Sequence, residues 1–165
     1  MATIDLSPGA GVANTQPSVH GNRFVTHYTD VDIDLDEAET EKGSALAAAD
    51  VIQALDIPAN SVVLAAGIEV LTVNSGSTVL TFDLGVTGGN VDNFVDGFDA
   101  VAAVAGDFSS QPADYAPVVV GNTADTLDVL IATLTTTNTG GVFRVWMIWC
   151  DIKDIRRPGV ALLKS

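Results

Sequence analysis

The sequence predicts an all-β protein: an antiparallel, jelly-roll-like β-sandwich with little helix and an extended N-terminal arm. Short segments rich in β-branched residues are separated by turns of Gly, Pro, Asn and Ser. These segments do not alternate with long amphipathic helices, as they would in an α/β protein. The last of them, 142–152, is apolar on both faces, which is typical of a strand in the middle of a sheet or at a subunit interface.

The chain of 165 residues has the length of one domain, and we divide it into three regions. Residues 1–22 lack an apolar period and form the arm, which we expect to lie on its own domain or on a neighbouring subunit. Residues 23–152 form the sandwich. Residues 153–165 are a tail with four of the seven basic residues, and we expect it to be a second contact segment. The expected contact residues of the arm and the tail are Ile4, Leu6, Val12, His20, Arg156, Arg157, Leu162 and Leu163.

The composition restricts the partners of the protein. Twenty-one acidic and seven basic residues give a net charge of −14, which repels nucleic acids and anionic membranes. No apolar run approaches the ~20 residues that span a bilayer. The single cysteine, Cys150, cannot form an intrachain disulfide, and the first residues lack the features of a secretory signal. We therefore expect no nucleic-acid partner, no membrane partner and no cofactor, and any charged partner should be basic.

The first predicted strand, 23–36, carries a row of carboxylates. In its second half Val31, Ile33 and Leu35 alternate with aspartates, so that the apolar and acidic side chains fall on opposite faces. Neighbouring carboxylates on one face are ~7 Å apart and repel each other unless they are solvated or neutralised. The row therefore indicates a water-facing strand or the binding of a cation or a basic surface. Residues 37–44 are predicted to be an acidic connector.

The middle of the sequence predicts further strands and two hairpins. Residues 45–55 could form a helix, but the even spacing of apolar residues favours a strand over 49–57. Residues 62–73 and 78–84 are predicted to form a hairpin closed by an Asn-Ser-Gly-Ser turn. Residues 127–133 are expected to pair with 142–152 in the same way. In the strand 78–84, the side chains expected to face the core are Leu80, Phe82 and Leu84.

The loop GGNVDNFVDGFD at 88–99 is rich in acidic residues and suggests a calcium site. Starting from Asp92, an EF-hand pattern finds Asp96 and Gly97 in the required places, but the third and twelfth positions lack oxygen ligands. Asp92 and Asp96 therefore remain weak candidates for a different kind of calcium site.

A structural interpretation of the same loop accounts for more of its residues. Phe94 and Phe98 are four positions apart and would share one face of a single helical turn that packs on the core. Asn93 or Asp96 would cap this turn by accepting backbone hydrogen bonds. The glycines at 88, 89 and 97 would supply positive φ angles where the chain bends.

No complete catalytic motif is present, and we expect a protein that is not an enzyme. His20, His27 and Cys150 do not have the spacing of a zinc site, and Cys150 is expected to be a buried, unreactive thiol. Close pairs of carboxylates, as in glycosidases, arise by chance in so acidic a chain. Trp146 and Trp149 are three positions apart on a strand and face opposite sides, which argues against one shared sugar-stacking platform.

Several segments resemble virion structural proteins of tailed bacteriophages. The resemblance is carried by AADVIQALDIPANSVVL at 48–64 and GIEV at 67–70. Patterns similar to TFDLG at 81–85, FVDG at 94–97 and the closing strand 142–152 occur in the same group, notably in phages of aquatic bacteria. The likeness covers roughly the sandwich region, and the arm matches no known pattern.

This resemblance implies a non-enzymatic β-sandwich on the phage particle, of the head decoration (cement) type. Such a protein would be made in the bacterial cytoplasm and would lie on the head surface, bound to the major capsid protein and to copies of itself, with a trimer as the expected oligomer. A head-fibre or tail component fits the same motifs. From the residues themselves, the alternatives are a carbohydrate-binding sandwich, with or without calcium, and an acid-based hydrolase.

Overall fold

A computed structural model describes residues 26–87, 89–136 and 140–152. This part of the chain contains eight strands and one helix. Their bounds are β1 (Thr26–Asp34), α1 (Leu35–Lys42), β2 (Val51–Ile57), β3 (Ser61–Thr72), β4 (Val79–Val86), β5 (Val95–Asp99), β6 (Val118–Val120), β7 (Asp125–Thr135) and β8 (Val142–Asp151).

The strands form two antiparallel sheets of four strands each. Sheet A has the order β1-β8-β3-β6 and sheet B the order β2-β7-β4-β5. Consecutive strands therefore alternate between the two sheets over most of the chain, which is the strand order of a jelly roll. The predicted all-β sandwich of the jelly-roll kind is confirmed, and β8 lies in the middle of sheet A, as its two-sided apolar character indicated.

The core lies between the sheets and is built by the period-2 alternation of the strands. On β4 the side chains of Leu80, Phe82 and Leu84 are almost completely buried, as predicted. Facing them, Phe143 of β8 meets Phe82 edge to face, with ring centroids 5.0 Å apart. The other large side chains of this core include Leu35, Ile57, Ile68, Phe94, Leu127, Ile131 and Met147.

Residues 35–42 form a helix, and the predictions for this segment were wrong in two respects. The first strand ends at Asp34, which caps α1 by accepting the Asp36 amide at 2.9 Å, and Leu35 is buried as the first helical residue. Gly43 ends the helix in a left-handed conformation (φ 74°). The sequence of α1 has no apolar period, and Leu35 is its only buried residue. The helix is therefore stabilised by its caps, Asp34 and Gly43, rather than by burial of an apolar face.

Both predicted hairpins are wrong, although the strands themselves exist. β3 belongs to sheet A and β4 to sheet B, and likewise β8 belongs to sheet A and β7 to sheet B. β4 pairs with β7, and β3 pairs with β8. The chain therefore changes sheet between β3 and β4 and again between β7 and β8. The preferred strand over 49–57 is confirmed as β2.

Candidate interaction surface

The outer edge of β1 carries backbone groups that pair with no other described strand. The Leu35 amide donates to the Gly141 carbonyl at 3.1 Å, in register with the pairing of β1 and β8. Because hydrogen-bonded positions alternate along an antiparallel pair, Val31 and Ile33 bond to β8. The N–H and C=O groups of the even-numbered residues of β1 then point away from β8. No other strand within the described ranges pairs with this edge.

The side chains of these same positions carry the predicted row of carboxylates. We call Asp30, Asp32 and Asp34, together with the outward backbone groups of β1, the acidic edge. Asp36, which the sequence placed in the same row, lies in α1 instead. The side chains of Asp30 and Asp32 are 41% and 49% exposed, so the row faces solvent.

One cation partly neutralises the acidic edge. Arg144 of β8 lies opposite Asp32 in the register and donates from Nε to it at 2.9 Å. The same guanidinium lies 3.3 Å from Asp30 and 3.5 Å from Glu69 of β3. The hydrogen bond to Asp32 is the main reason that the pKa of Arg144 is raised. Three carboxylates thus share one guanidinium. The sequence held the signal for this cluster, a lone arginine in an apolar strand, but not the register that reveals it.

Helix α1 extends the acidic surface beyond β1. Its first turn contains Asp36 and Glu37, and Glu39 and Glu41 follow. The only lysine of this helix, Lys42, is engaged elsewhere: it lies 2.6 Å from Asp50, and its hydrogen bond is the main cause of the lowered pKa of that carboxyl. Residues 30–41 therefore present seven carboxylates and no basic side chain.

Trp146 lies at the centre of the outer face of sheet A. Its register partner is Gly67 of β3, and the indole covers this glycine so closely that no side chain would fit. An irregular segment, 106–111, runs beside β3 and completes this cover. The Ser109 amide donates to the Ile68 carbonyl at 2.8 Å, and the Ile68 amide donates to Ser109 Oγ at 2.9 Å.

Trp149 lies on the opposite side of β8, as its spacing from Trp146 predicted. Its ring stacks on His27 with centroids 4.3 Å apart, and its Nε1 donates to Thr29 Oγ1 at 3.1 Å. Cys150 is buried, and because it directly follows Trp149 its side chain faces away from His27. His27 is therefore not placed to act as the base for a Cys150 nucleophile.

The loop 88–99 is only partly as predicted. Phe94 is buried, packs near Tyr115 and donates its amide to the Leu84 carbonyl at 2.9 Å, so it does fix the loop to the core. The single helical turn is wrong, because Val95–Asp99 is strand β5 and Phe98 pairs with Phe82 of β4.

The bends around β5 are also only partly as predicted. Gly97 has the predicted positive φ of 65°, whereas Gly89 does not have a positive φ and Gly88 lies outside the described residues. The capping residue is Asp99, which accepts the amides of Val101 and Ala102 at 3.0 Å. Asn93 instead donates to the Ala116 carbonyl at 2.9 Å.

Asp92 and Asp96, the weak calcium candidates, lie near a third carboxylate, Asp83 of β4. Partial burial is the main reason that the pKa of Asp83 is raised, and the negative charges of Asp96 and Asp92 raise it further. The Gly97 amide donates to Asp83 at 2.8 Å and opposes this shift. Among the described residues, no three His, Cys, Asp or Glu side chains come together as a metal site.

The eight expected contact residues, from Ile4 to Leu163, all lie outside the described ranges. The arm and the tail thus stay predictions. In the ranges that are described, no helix has the length and apolarity to cross a membrane.

Comparisons with known proteins identify the fold. No protein-family model matches the chain, and no curated protein sequence matches it. Among solved structures, a chain in the "Cyanophage Pam1 capsid asymmetric unit" is similar with a TM-score of 0.59 and 15% identity, covering 88% of this chain and 99% of that one. A chain in the "Capsid of Ralstonia phage GP4" is similar with a TM-score of 0.56 and 18% identity, covering 92% and 90%. The fold is one found in phage capsids.

At this level of identity the likeness establishes a shared fold. It covers nearly the whole of both partners in each comparison, so neither known chain carries a large additional domain. Jelly rolls also occur in lectins and other proteins, and the fold by itself does not determine the function.

Proposed function

We propose that the protein is a non-enzymatic structural component of a phage virion, a decoration protein that binds the outer surface of the head. The observation that carries this proposal is the end-to-end similarity of its fold to chains in two phage capsid structures. The resemblance of residues 48–64 to tailed-phage virion proteins points to the same class of protein. In this role it binds the major capsid protein and other copies of itself, and it stabilises contacts between capsid subunits.

The charge of the protein supports a place on the outside of the head. A net charge of −14 would be strongly repelled by packaged DNA on the inner surface. Outside the shell the same charge is solvated. The acidic edge and α1 carry seven of the 21 acidic residues, and we expect the arm and the basic tail to be the segments that bind neighbouring subunits.

The chemistry visible in the fold fits a role in binding. His27 and Cys150 face opposite sides of the sheet, and the carboxylates of the acidic edge lie on one exposed strand and share Arg144. An acid-based hydrolase needs two carboxyl groups across a substrate cleft. These carboxylates do not face one another in that way.

A carbohydrate-binding module is less well supported. Two aromatic residues of sheet A are strongly exposed, Tyr28 and Phe108. They are separated laterally across the sheet, because β8 and β3 lie between them. Three strand spacings separate them by ~14 Å or more, which is too far for one sugar ring to stack on both. Calorimetry with a glycan panel, with and without calcium, tests this alternative, and a saturable heat would favour it over the capsid role.

The proposal is tested with particles of the phage that encodes the chain. We expect the purified protein to co-sediment with heads that lack it, at a fixed copy number comparable with that of the major capsid protein, and to be reached by antibodies on intact particles. Deleting residues 1–22 should abolish binding while far-UV circular dichroism still reports a folded sandwich. Full occupancy after this deletion would contradict the role of the arm. A copy number far below that of the major capsid protein would indicate a fibre or tail component and overturn the decoration role.

A further inference from the structure

We propose that the acidic edge binds the basic tail, residues 153–165, of a second copy of this chain as an added β-strand. This is an inference about self-association, and it does not depend on the proposed capsid role. It rests on the geometry of the β1 edge, on its charge, and on the distribution of basic residues in the sequence.

The edge is suited to strand addition. β1 pairs with β8 over nine successive residues, Thr26–Asp34, without a register shift, so its outer side is a regular row of backbone donors and acceptors. Protein sheets usually protect such edges by bulges or by shortness. The other edges show this protection: β2 and β5 have register shifts in their pairing, and β6 has three residues. β1 is thus the longest regular edge in the described part of the chain.

The negative charge of the acidic edge favours a basic strand as its binding partner. Pairing of β1 with β1 of another copy would place rows of aspartates side by side, and like charges across a strand pair are destabilising. A basic strand has the opposite effect. Arg144 supplies one positive charge for three carboxylates, so the acidic edge and the acidic first turn of α1 keep an excess of negative charge for an incoming cation.

The tail is the basic segment that this chain offers. It contains Lys153, Arg156, Arg157 and Lys164 against the single Asp154. The other three basic residues of the protein are Arg23, Lys42 and Arg144, of which the last two are in ion pairs. Pro158 cannot donate a backbone hydrogen bond, so we expect the added strand to use residues 153–157. In an extended strand Lys153 and Arg157 share one face, which matches the row of aspartates.

The topology favours a second copy over the same chain as donor of the tail. Cys150 is the register partner of Thr26, so the tail begins beside the start of β1, whereas Asp34 lies at the far end, opposite Val142. To reach its own acidic edge, the tail would have to reverse direction immediately after β8 and pass around Thr26. A neighbouring copy can supply the segment without this reversal. A tail-to-edge contact is heterologous and closes into a ring, such as the expected trimer, when the rotation between copies allows it.

Charge-swap variants of the full-length chain test the proposal by sedimentation velocity, without any capsid present. The edge variant is Tyr28→Lys/Asp30→Lys, which keeps the Asp32 bond to Arg144 and the Asp34 cap. The tail variant is Arg156→Glu/Arg157→Glu. The matched control, Val119→Lys/Asp114→Lys, makes the same charge change as the edge variant at exposed positions away from β1.

We expect the wild type and the control to assemble, and each swap variant to dissociate with an apparent Kd raised about tenfold or more, as for the loss of a close charge pair. Mixing the edge variant with the tail variant should restore association between the two. The edge variant supplies a native tail, and the tail variant supplies a native acidic edge. The proposal would be overturned by any of three outcomes. The wild type could be monomeric, either swap variant could assemble as the wild type does, or the mixture could stay monomeric while the wild type assembles. The tail variant leaves the sandwich unaltered, so its sedimentation decides the question if circular dichroism shows that the edge variant does not fold.

Discussion

The indole of Trp146 lies against the α-carbon of Gly67, so that a β-carbon added at this glycine would come within 2.7 Å of Cζ2. The same β-carbon would lie 3.1 Å from Ser109 Oγ, whose side chain holds the 106–111 segment on β3. Two neighbouring strands and the segment that covers them thus meet at one position. The glycine is required here by close packing rather than by an unusual backbone conformation.

The first prediction concerns this contact. Gly67→Ala should lower the free energy of unfolding by about 1–3 kcal/mol, because the indole must move and the outer cover of sheet A must shift with it. Chemical denaturation monitored by tryptophan fluorescence measures the change. Gly121→Ala is the matched control, since a β-carbon there has no neighbour within 4 Å. Equal unfolding free energies of the two variants would show that the Trp146 indole can move away from a β-carbon at position 67 without loss of stability.

The second prediction separates two phenylalanines that look alike in the sequence. Phe94 is completely buried beside Tyr115, whereas Phe108 is 61% exposed. Phe94→Ala should cost about 3–5 kcal/mol of unfolding free energy, the range for a large buried aromatic residue. Phe108→Ala should change it by less than about 0.5 kcal/mol. Thermal unfolding of both variants gives the comparison, and a small effect at Phe94 would mean that the 88–99 loop is not fixed by this ring.

The third prediction concerns Asn74, which links the two connections that cross between the sheets. Its side-chain amide donates to the Gly140 carbonyl at 2.6 Å, and its carbonyl oxygen accepts the Ser77 amide at 3.0 Å. Asn74→Ala leaves the buried Ser77 amide and the partly buried Gly140 carbonyl without these partners and should cost about 1–3 kcal/mol. Urea unfolding checks this value. Asn90→Ala, at an exposed position, is the control, and an equal loss there would contradict the proposed link.

These contacts also explain which parts of the fold the sequence could predict. The strands of the core follow from local alternation, and Leu80, Phe82 and Leu84 are buried as that alternation requires. The choice of sheet partner does not follow from it. Nothing local in the turn after β3 shows that Asn74 will bond to Gly140, 66 residues later, rather than close a hairpin. The sequence therefore predicts strands well and their pairing poorly.

The same limit applies to the acidic edge. The aspartates of β1 are visible in the sequence as a row, but their partner Arg144 is 112 residues away from Asp32, and only the register of β1 and β8 brings them together. Helix α1 was missed for a different reason. Its caps, Asp34 and Gly43, are local signals, but the acidic segment between them lacks the apolar face by which helices are usually recognised.

The last prediction is a pH dependence that originates at Asp83. Its pKa is raised above the ordinary value of 3.8, first by partial burial and then by the charges of Asp96 and Asp92. The native carboxyl therefore keeps its proton to higher pH than the unfolded one, and the native state binds more protons in that interval. Stability from this group is present below pH 3.8 and is lost as the pH rises through the raised pKa.

Asp83→Asn removes this titration but keeps a carbonyl oxygen for the Gly97 amide. The melting temperature of the variant relative to the wild type should therefore rise as the pH increases from below 3.8 through the raised pKa of Asp83, and then stay constant, because only the wild type develops a disfavoured charge. Differential scanning calorimetry across this range measures the difference. Asp56→Asn, on the exposed side of β2, serves as the control for removing one negative charge. A difference that falls with pH, or that Asp56→Asn reproduces, would show that the environment of Asp83 does not disfavour its charge.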